Sequence, residues 1–248
     1  MKAMRYAVLS DIHGNLPALE RVLEEIERIG VDGVLCLGDV VGYGAFPNEC
    51  CKKLRELDAT VVRGNHDEAA VRPGKEMWFT AAARACILWT REVLMEENRL
   101  FLANLKPRLR VDDMTLCHGS YLDPDFYTTT PREAMLTFRV LDTPVCLYGH
   151  THYAEWFEYR TDQDELPLEF LATQGGEVEL RDGVLYMINP GAVGQPRDGN
   201  PRAAFGIIDL GVRKFEFHRV EYDIQRAQKA IIEAGLPQAM AARLSAGI

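Results

Sequence analysis

The sequence predicts an α/β fold, and two observations lead to this prediction. Up to Tyr148, short apolar runs alternate with segments whose apolar residues recur at helical spacing. Beyond His152, pairs of strand-like runs flank short turns, which is typical of β-hairpins. We therefore expect a parallel set of strands followed by an antiparallel set.

The parallel part is predicted to contain five strands and at least four helices. Apolar runs indicate strands at residues 6–9, 33–37, 59–62, 114–117 and 145–148. Helices are expected at 16–29, at 47–57 with Pro47 in the first position, at 76–105 as two helices or one interrupted helix, and at 131–141. The aromatic residues of the third helical segment are expected to pack in the core: Trp78, Phe79, Trp89 and Phe101.

The antiparallel part is predicted to contain two hairpins and a helical tail. The first hairpin joins residues 177–180 to 184–188, and the second joins 203–210 to 214–222. A Gly/Pro/Asn-rich loop at 189–201 lies between them, and loops of that length are usually functional or mobile. The tail after Asp223 should be helical, with a break near Gly235.

Composition limits the class of protein. The chain has 248 residues, 47% hydrophobic and 26% charged, which suits one large domain spanning 1–248. A formal net charge of −9 argues against unspecific attraction to nucleic acid or to an anionic membrane. The sequence shows neither a membrane-span length of apolar residues nor a signal-like start, so we expect a cytoplasmic protein.

Polar clusters follow the predicted strands, where each strand ends. They read Asp-x-His, Gly-Asp, Gly-Asn-His-Asp, His-Gly and Gly-His-x-His, and they hold five of the six histidines. The carboxyl ends of parallel strands lie along one edge of a sheet, so these clusters should converge. Their candidate metal ligands are Asp11, His13, Asp39, Asn65, His118, His150 and His152.

This donor set indicates the kind of metal. It mixes oxygen and imidazole donors without thiolate, which suits Mn²⁺, Fe or Zn²⁺ better than Mg²⁺ or Ca²⁺. Seven ligands exceed the needs of one ion, so two ions roughly 3.5–4 Å apart are expected, with one shared carboxylate. Mn²⁺ is the expected cofactor, with Fe, Zn²⁺, Ni²⁺ or Co²⁺ as alternatives.

The order of the five clusters resembles the calcineurin-like metallophosphoesterase superfamily, over about residues 4–195. Asn189-Pro190-Gly191 after the last cluster is similar to its small bacterial phosphodiesterase-like branch, although Ala192 replaces a serine frequent there. The resemblance implies a four-layer α-β-β-α sandwich of two mixed sheets flanked by helices. A helical insertion would then occupy about residues 68–107.

The resemblance also implies a role for each residue. Asp11, His13 and His152 would hold one metal, Asn65, His118 and His150 the other, and Asp39 would bridge them. His66 would donate a proton to the leaving oxygen, and Asp67 is a candidate to orient it. Candidate phosphate-binding residues are Arg63, Asn15 and, in the long loop, Arg197.

The expected reaction is direct attack of a metal-bridging hydroxide on phosphorus, without a covalent phosphoenzyme. The sparse supply of arginine favours phosphodiesters or nucleotide phosphoanhydrides over phosphomonoesters, whose dianion usually needs several arginines. A serine/threonine protein phosphatase or a broad phosphomonoesterase is the first alternative. A non-catalytic metal-binding scaffold is an alternative of another class. The expected partner is a small phosphoester or nucleotide, and the oligomeric state stays open.

Overall fold

Two six-stranded mixed sheets and the helices around them make up the protein, described here from a computed structural model over residues 4–163 and 165–248. The strands are β1 (Arg5–Leu9), β2 (Gly33–Cys36), β3 (Thr60–Val61), β4 (Arg108–Val111), β5 (Met114–Cys117), β6 (Val145–Leu147), β7 (Ala154–Arg160), β8 (Leu168–Leu171), β9 (Gly176–Glu179), β10 (Val184–Pro190), β11 (Ala203–Asp209) and β12 (Lys214–Val220). The helices are α1 (Leu16–Ile29), α2 (Pro47–Glu56), α3 (Asn65–Val71), α4 (Ala81–Val93), α5 (Glu96–Asn104), α6 (Pro131–Phe138), α7 (Ile224–Glu233) and α8 (Gln238–Ala246), with a 3₁₀ turn at Lys75–Trp78.

Each sheet combines parallel and antiparallel pairs. The first has the order β3-β2-β1-β11-β12-β9, and the second has the order β4-β5-β6-β10-β7-β8. The pairs β1–β2, β2–β3, β5–β6 and β6–β10 are parallel, and the remaining neighbours are antiparallel. The predicted fold of two mixed sheets flanked by helices is confirmed.

The alternation of side chains along β1 shows how the layers arise. Ala7 and Leu9 join Val22 of α1 in one core cluster, whereas Val8 between them joins Leu116 of the second sheet in another. Successive residues of a strand point to opposite faces, so β1 packs against helices on one side and against the other sheet on the other. A third cluster, which includes Phe138 of α6, covers the far face of the second sheet.

Most predicted elements are found within a few residues of their expected bounds. Helix α1 has the predicted bounds, because Asn15 accepts a capping hydrogen bond from the Ala18 N–H at its start and Gly30, at φ +75°, ends it. The segment 76–105 forms two helices, α4 and α5, and the hairpin of β11 and β12 is confirmed. Among the described residues, no helix is long and apolar enough to cross a membrane.

The predicted hairpin of residues 177–180 and 184–188 is wrong. Strand β9 pairs with β12 in the first sheet, whereas β10 pairs with β6 and β7 in the second. The turn between them carries the chain from one sheet to the other, and Val178 and Val184 both face the core between the sheets. A tight turn between two alternating runs has the same sequence pattern whether the runs pair or face each other.

Glu155 of β7 is a buried carboxylate, 4% exposed, whose Oε1 accepts hydrogen bonds from the Tyr148 and Thr151 hydroxyls at 3.0 Å each. Burial raises the pKa of Glu155 from its ordinary 4.5 to about 7, against the opposing effect of these two hydrogen bonds. The folded state therefore holds this proton more tightly than the unfolded chain. Its contribution to stability is present below pH 4.5 and is lost as the pH rises to about 7.

We expect Glu155→Gln to remove this pH dependence, because the amide stays neutral and its oxygen can accept both hydrogen bonds. Between pH 4.5 and 8 the unchanged protein should lose about 2–3 kcal/mol of unfolding free energy relative to the variant. Urea unfolding of both metal-free proteins at several pH values measures this difference. Parallel pH profiles would contradict the assignment.

Candidate metal centre

Five strands of the two sheets deliver the candidate ligands to one place. Asp11 and His13 follow β1, Asp39 follows β2, Asn65 begins α3 after β3, His118 follows β5, and His150 and His152 follow β6. All are buried except Asn65, which is half-buried. Five of them have φ between +49° and +69°, in the left-handed region that non-glycine residues rarely adopt: Asp11, His13, Asp39, His150 and His152. Such strain is typical of functional sites.

The first group of donor atoms belongs to Asp11, His13 and His152, the set that the family resemblance assigns to one metal. The Nδ1 atoms of His13 and His152 lie 3.1 and 2.5 Å from the carbonyls of Val41 and Gln195, and therefore carry the ring protons. Both Nε2 atoms are then lone-pair donors, yet they lie 3.1 Å apart. Asp11 Oδ1 lies 3.3 Å from the His152 Nε2 and, among the described residues, has no hydrogen-bond partner. Three lone pairs that converge in this way form a group that could hold a metal ion.

The second group contains His118, His150 and Asn65, the set that the family resemblance assigns to the other metal. His118 donates from Nδ1 to the Leu37 carbonyl at 2.8 Å, and its Nε2 faces Asn65 Oδ1 at 3.2 Å and His150 Nδ1 at 3.1 Å. The opposite nitrogen of His150, Nε2, lies 3.2 Å from the Asp125 carbonyl and therefore carries the ring proton. The Nδ1 atom of His150 then has a lone pair that can bind a cation. A proton on His118 Nε2 could form a hydrogen bond to Asn65 Oδ1 or to His150 Nδ1, but not to both.

Asp39 lies between the two groups. Its Oδ2 is 3.6 Å from the His13 Nε2 and 3.3 Å from the His118 Nε2, while its Oδ1 accepts from the His66 N–H at 2.9 Å. Gly64 makes this approach possible, because a Cβ atom there would lie 2.0 Å from Asp39 Oδ1. The Asp39 carboxylate therefore lies within 3.6 Å of an imidazole nitrogen of each group.

The charge states show how strongly the centre depends on positive charge. Burial lowers the pKa of His150 to about 3 and that of His13 and His152 well below the usual range, so these rings are neutral near pH 7. Burial also opposes the charge on His118, but the Asp39 and Asp11 carboxylates overcome it and raise the pKa of His118 to about 10. The Asp39 and Asp11 carboxylates thus favour positive charge beside His118.

His66 is the second residue of α3, and its ring packs against three aromatic rings. Ring centroids of Tyr43, Phe79 and His13 lie 4.4, 4.7 and 4.7 Å from that of His66. Its buried Nδ1 has no hydrogen-bond partner within the described ranges, and burial lowers the pKa of His66 to about 4. His66 also joins His13 and Asp39 in a third set of close donor atoms, so geometry alone permits a ligand role as well as a proton-donor role.

Three other candidate residues have protein partners that the sequence did not predict. The Asp67 carboxylate accepts from the backbone N–H groups of Val40, Val41 and Gly64 at 2.9–3.2 Å, and no hydrogen bond described here joins it to His66. Arg63 lies against Glu68 and the Leu105 carbonyl. Asn15 donates to the Gly194 carbonyl and to the Tyr222 hydroxyl, in addition to capping α1. These contacts engage Asp67, Arg63 and Asn15 with groups of the protein itself.

Arg197 is the phosphate-binding candidate that the fold places beside the donor atoms. Its guanidinium donates to the Tyr43 hydroxyl and to Gln195 Oε1 at 3.3 Å each. Its buried Nε has no partner among the residues described, and the charge of Arg197 contributes to the lowered pKa values of His13, His66 and His152. The loop that carries Arg197 also binds the centre through its backbone, because Gly194 N–H donates to the Asp11 carbonyl at 2.9 Å.

A cleft of about 600 Å³ opens onto the centre. It is lined by Tyr43, Asn65, His66, Glu68, Lys75, Trp78, Phe79, Thr80, Ala83, Asp125, Tyr127 and His150. The expectation that Trp78 packs in the core is wrong, because its side chain is 90% exposed at this cleft. Lys75 and Thr80 of the cleft were not predicted either, since no sequence pattern links this turn to the strand ends.

Comparison with known proteins agrees with this geometry. The sequence model of the calcineurin-like phosphoesterase superfamily domain matches residues 4–212. Uncharacterized protein MJ0912 of Methanocaldococcus jannaschii is 35% identical over 262 residues, covering 97% of each chain. Phosphodiesterase YfcE of Escherichia coli is 30% identical over 219 residues, covering 84% of this chain and 89% of the relative. The crystal structure of a metallophosphoesterase from Sphaerobacter thermophilus is 40% identical, with a TM-score of 0.87 over 100% of both chains.

Proposed function

Because the chain belongs to the calcineurin-like phosphoesterase superfamily, we propose that it hydrolyses phosphodiester or nucleotide phosphoanhydride bonds with two divalent metal ions. Membership of this family makes it a hydrolase of phosphoester bonds, and the substrate class and the metal count are our inference. The observation that carries the inference is the position of the Asp39 carboxylate between two groups of converging lone-pair donors.

The residues present fit such a pair of ions. Asp11, His13 and His152 would hold one ion, Asn65, His118 and His150 the other, and Asp39 both. The unpartnered Asp11 Oδ1 and the facing Nε2 atoms of His13 and His152 support the first assignment. When bound, two divalent ions would supply charge that neutralises phosphate oxygens and lowers the pKa of water in the site. We propose Mn²⁺ as the native metal.

The proposed role of His66 is to hold a proton beside the leaving oxygen. Packing against Tyr43 and Phe79 fixes the orientation of its ring, and its Nδ1 has no partner among the described groups. Burial keeps His66 neutral in the free protein, and a bound phosphate anion favours the protonated ring. Arg197, with its unpaired Nε, would contact a phosphate oxygen.

The supply of cations favours a diester over a monoester. Arg197 has a buried Nε without a hydrogen-bond partner among the described residues, whereas Arg63 is paired with Glu68. A phosphomonoester dianion usually requires several arginine contacts, and a diester monoanion requires fewer. The similarity to a relative named as a phosphodiesterase, over most of both chains, supports the same substrate class.

We expect the Mn²⁺-loaded protein to hydrolyse bis-p-nitrophenyl phosphate or diadenosine tetraphosphate faster than p-nitrophenyl phosphate or a phosphoserine peptide. Initial rates at equal substrate concentrations, with a metal-free sample as the control, measure this preference. A preference for the monoester or the peptide would favour a phosphatase instead. A folded, metal-loaded protein inactive on all four substrates would favour a binding scaffold.

A further inference from the structure

Trp78 exposes an indole ring that the described part of the chain leaves almost uncovered. It is 90% exposed and lines the cleft that also reaches Asn65, His66 and His150. A large aromatic side chain gains free energy when it is buried, so its exposure at the mouth of a ligand cleft indicates a surface that a ligand covers.

The turn that carries Trp78 is anchored to helices α3 and α4. The buried carboxylate of Glu76 pairs with Arg91 and accepts from the Gly74 N–H at 2.8 Å. Arg91 in turn donates from Nε to the Ala69 carbonyl at 2.9 Å. The backbone under Trp78 is therefore tied to α3 and α4, and the ring is presented from a fixed support.

Other aromatic residues line the cleft between Trp78 and the candidate metal ligands. Phe79, the next residue in the chain, packs edge-on against the ring of His66, with centroids 4.7 Å apart. Tyr127, 48% exposed, packs on His150 at a centroid distance of 3.9 Å. A flat ring stacked on Trp78 would thus lie on the same side of the centre as His66, the proposed proton donor. This is also the side of the leaving group.

Lys75 supplies a cation beside Trp78, in a cleft whose described lining also includes the carboxylates of Glu68 and Asp125. The buried carboxylate of Glu68 lies 3.3 Å from Lys75, 2.9 Å from Arg72 and 3.5 Å from Arg63. Because three cations share this one carboxylate, Lys75 can also pair with an anionic group of a ligand in the cleft.

We propose that this part of the cleft is a nucleoside-phosphate subsite, in which the base stacks on Trp78 and Lys75 faces a further phosphate. The proposal rests on the function proposed above and narrows it to substrates that contain a nucleotide. Base–aromatic stacking is tolerant of base identity, so purine and pyrimidine nucleotides should both bind.

Equilibrium binding tests the subsite without turnover. We would titrate the Mn²⁺-loaded protein with the phosphonate analogue of AMP, whose methylene group replaces the ester oxygen, and with methylphosphonate, by calorimetry. Trp78→Ala should weaken the AMP analogue about tenfold and leave methylphosphonate unchanged, while Trp78→Phe should keep most of the affinity. Met77→Ala is the matched control, because Met77 is 60% exposed on the same turn but does not line the cleft.

Lys75→Ala should weaken α,β-methylene-ADP more than it weakens the AMP analogue. The subsite would be overturned if the unchanged protein bound the AMP analogue and methylphosphonate with equal affinity. It would also be overturned if the Trp78→Ala protein still bound the AMP analogue more tightly than methylphosphonate by the same factor as the unchanged protein. Tighter Trp78-dependent binding of a phosphoserine peptide than of the AMP analogue would overturn it in favour of a protein ligand. Because these are binding measurements, their result is separate from whether the diester is hydrolysed.

Discussion

Asp39→Ala protein should bind less than one divalent ion per chain, against two for the unchanged protein, and should hydrolyse bis-p-nitrophenyl phosphate about 10³-fold more slowly. The carboxylate lies 3.3–3.6 Å from imidazole donors of both groups, so its removal takes one ligand from each site. Loss of bound metal removes several kcal/mol of charge stabilisation, and each 1.4 kcal/mol or so is a factor of ten in rate. Elemental analysis after gel filtration measures the metal, and initial rates measure the activity.

The matched control is Asp162→Ala, because Asp162 is an exposed carboxylate whose described ion-pair partner is Arg160, on the surface. That variant should keep both its metal and its activity. Circular dichroism of Asp39→Ala shows whether the fold is retained, which separates the loss of metal from a loss of structure. A folded Asp39→Ala protein with two ions per chain would refute the shared-ligand geometry.

Part of the convergence of the ligands could be predicted because it depends on a local rule. Asp11 and Asp39 follow neighbouring parallel strands of the first sheet, and His118 and His150 follow neighbouring parallel strands of the second, so each pair shares one sheet edge. The packing of the two sheets, which brings the two pairs together, does not follow from the order of the clusters along the chain. Which nitrogen of each ring faces the centre was not predictable, because it is set by backbone carbonyls such as those of Val41, Leu37 and Gln195.

The long-range contacts of Asn15, Arg63 and Asp67 could not be predicted because these partners are distant in sequence. Asn15 bonds to a carbonyl 179 residues away, and Arg63 bonds to one 42 residues away. No local pattern indicates such contacts. For Trp78 a local pattern predicted the wrong environment, because an aromatic residue in an apolar helical segment is usually buried. Trp78 instead lies in the 3₁₀ turn that precedes α4, where its side chain is exposed.

His66→Ala should keep two metal ions per chain and lower turnover by about 10²–10⁴-fold, the usual contribution of a general acid. The loss should be larger for a nucleoside leaving group than for p-nitrophenolate, because a good leaving group needs little help from a proton donor. The structure supports this role through the unpartnered Nδ1 and through the ring contacts with Tyr43 and Phe79. Rates on both classes of diester, together with metal analysis of the same samples, measure the effect.

His218→Ala is the matched control, since His218 is the one histidine of the sequence outside the strand-end clusters and contacts Glu216 and Phe205 instead. Its metal content and its rates on both diesters should equal those of the unchanged protein. The donor atoms of His13, Asp39 and His66 lie close together, so a ligand role for His66 predicts a different result. If His66→Ala lost metal as Asp39→Ala does, or lost the same rate factor with both leaving groups, His66 would be a ligand rather than the proton donor.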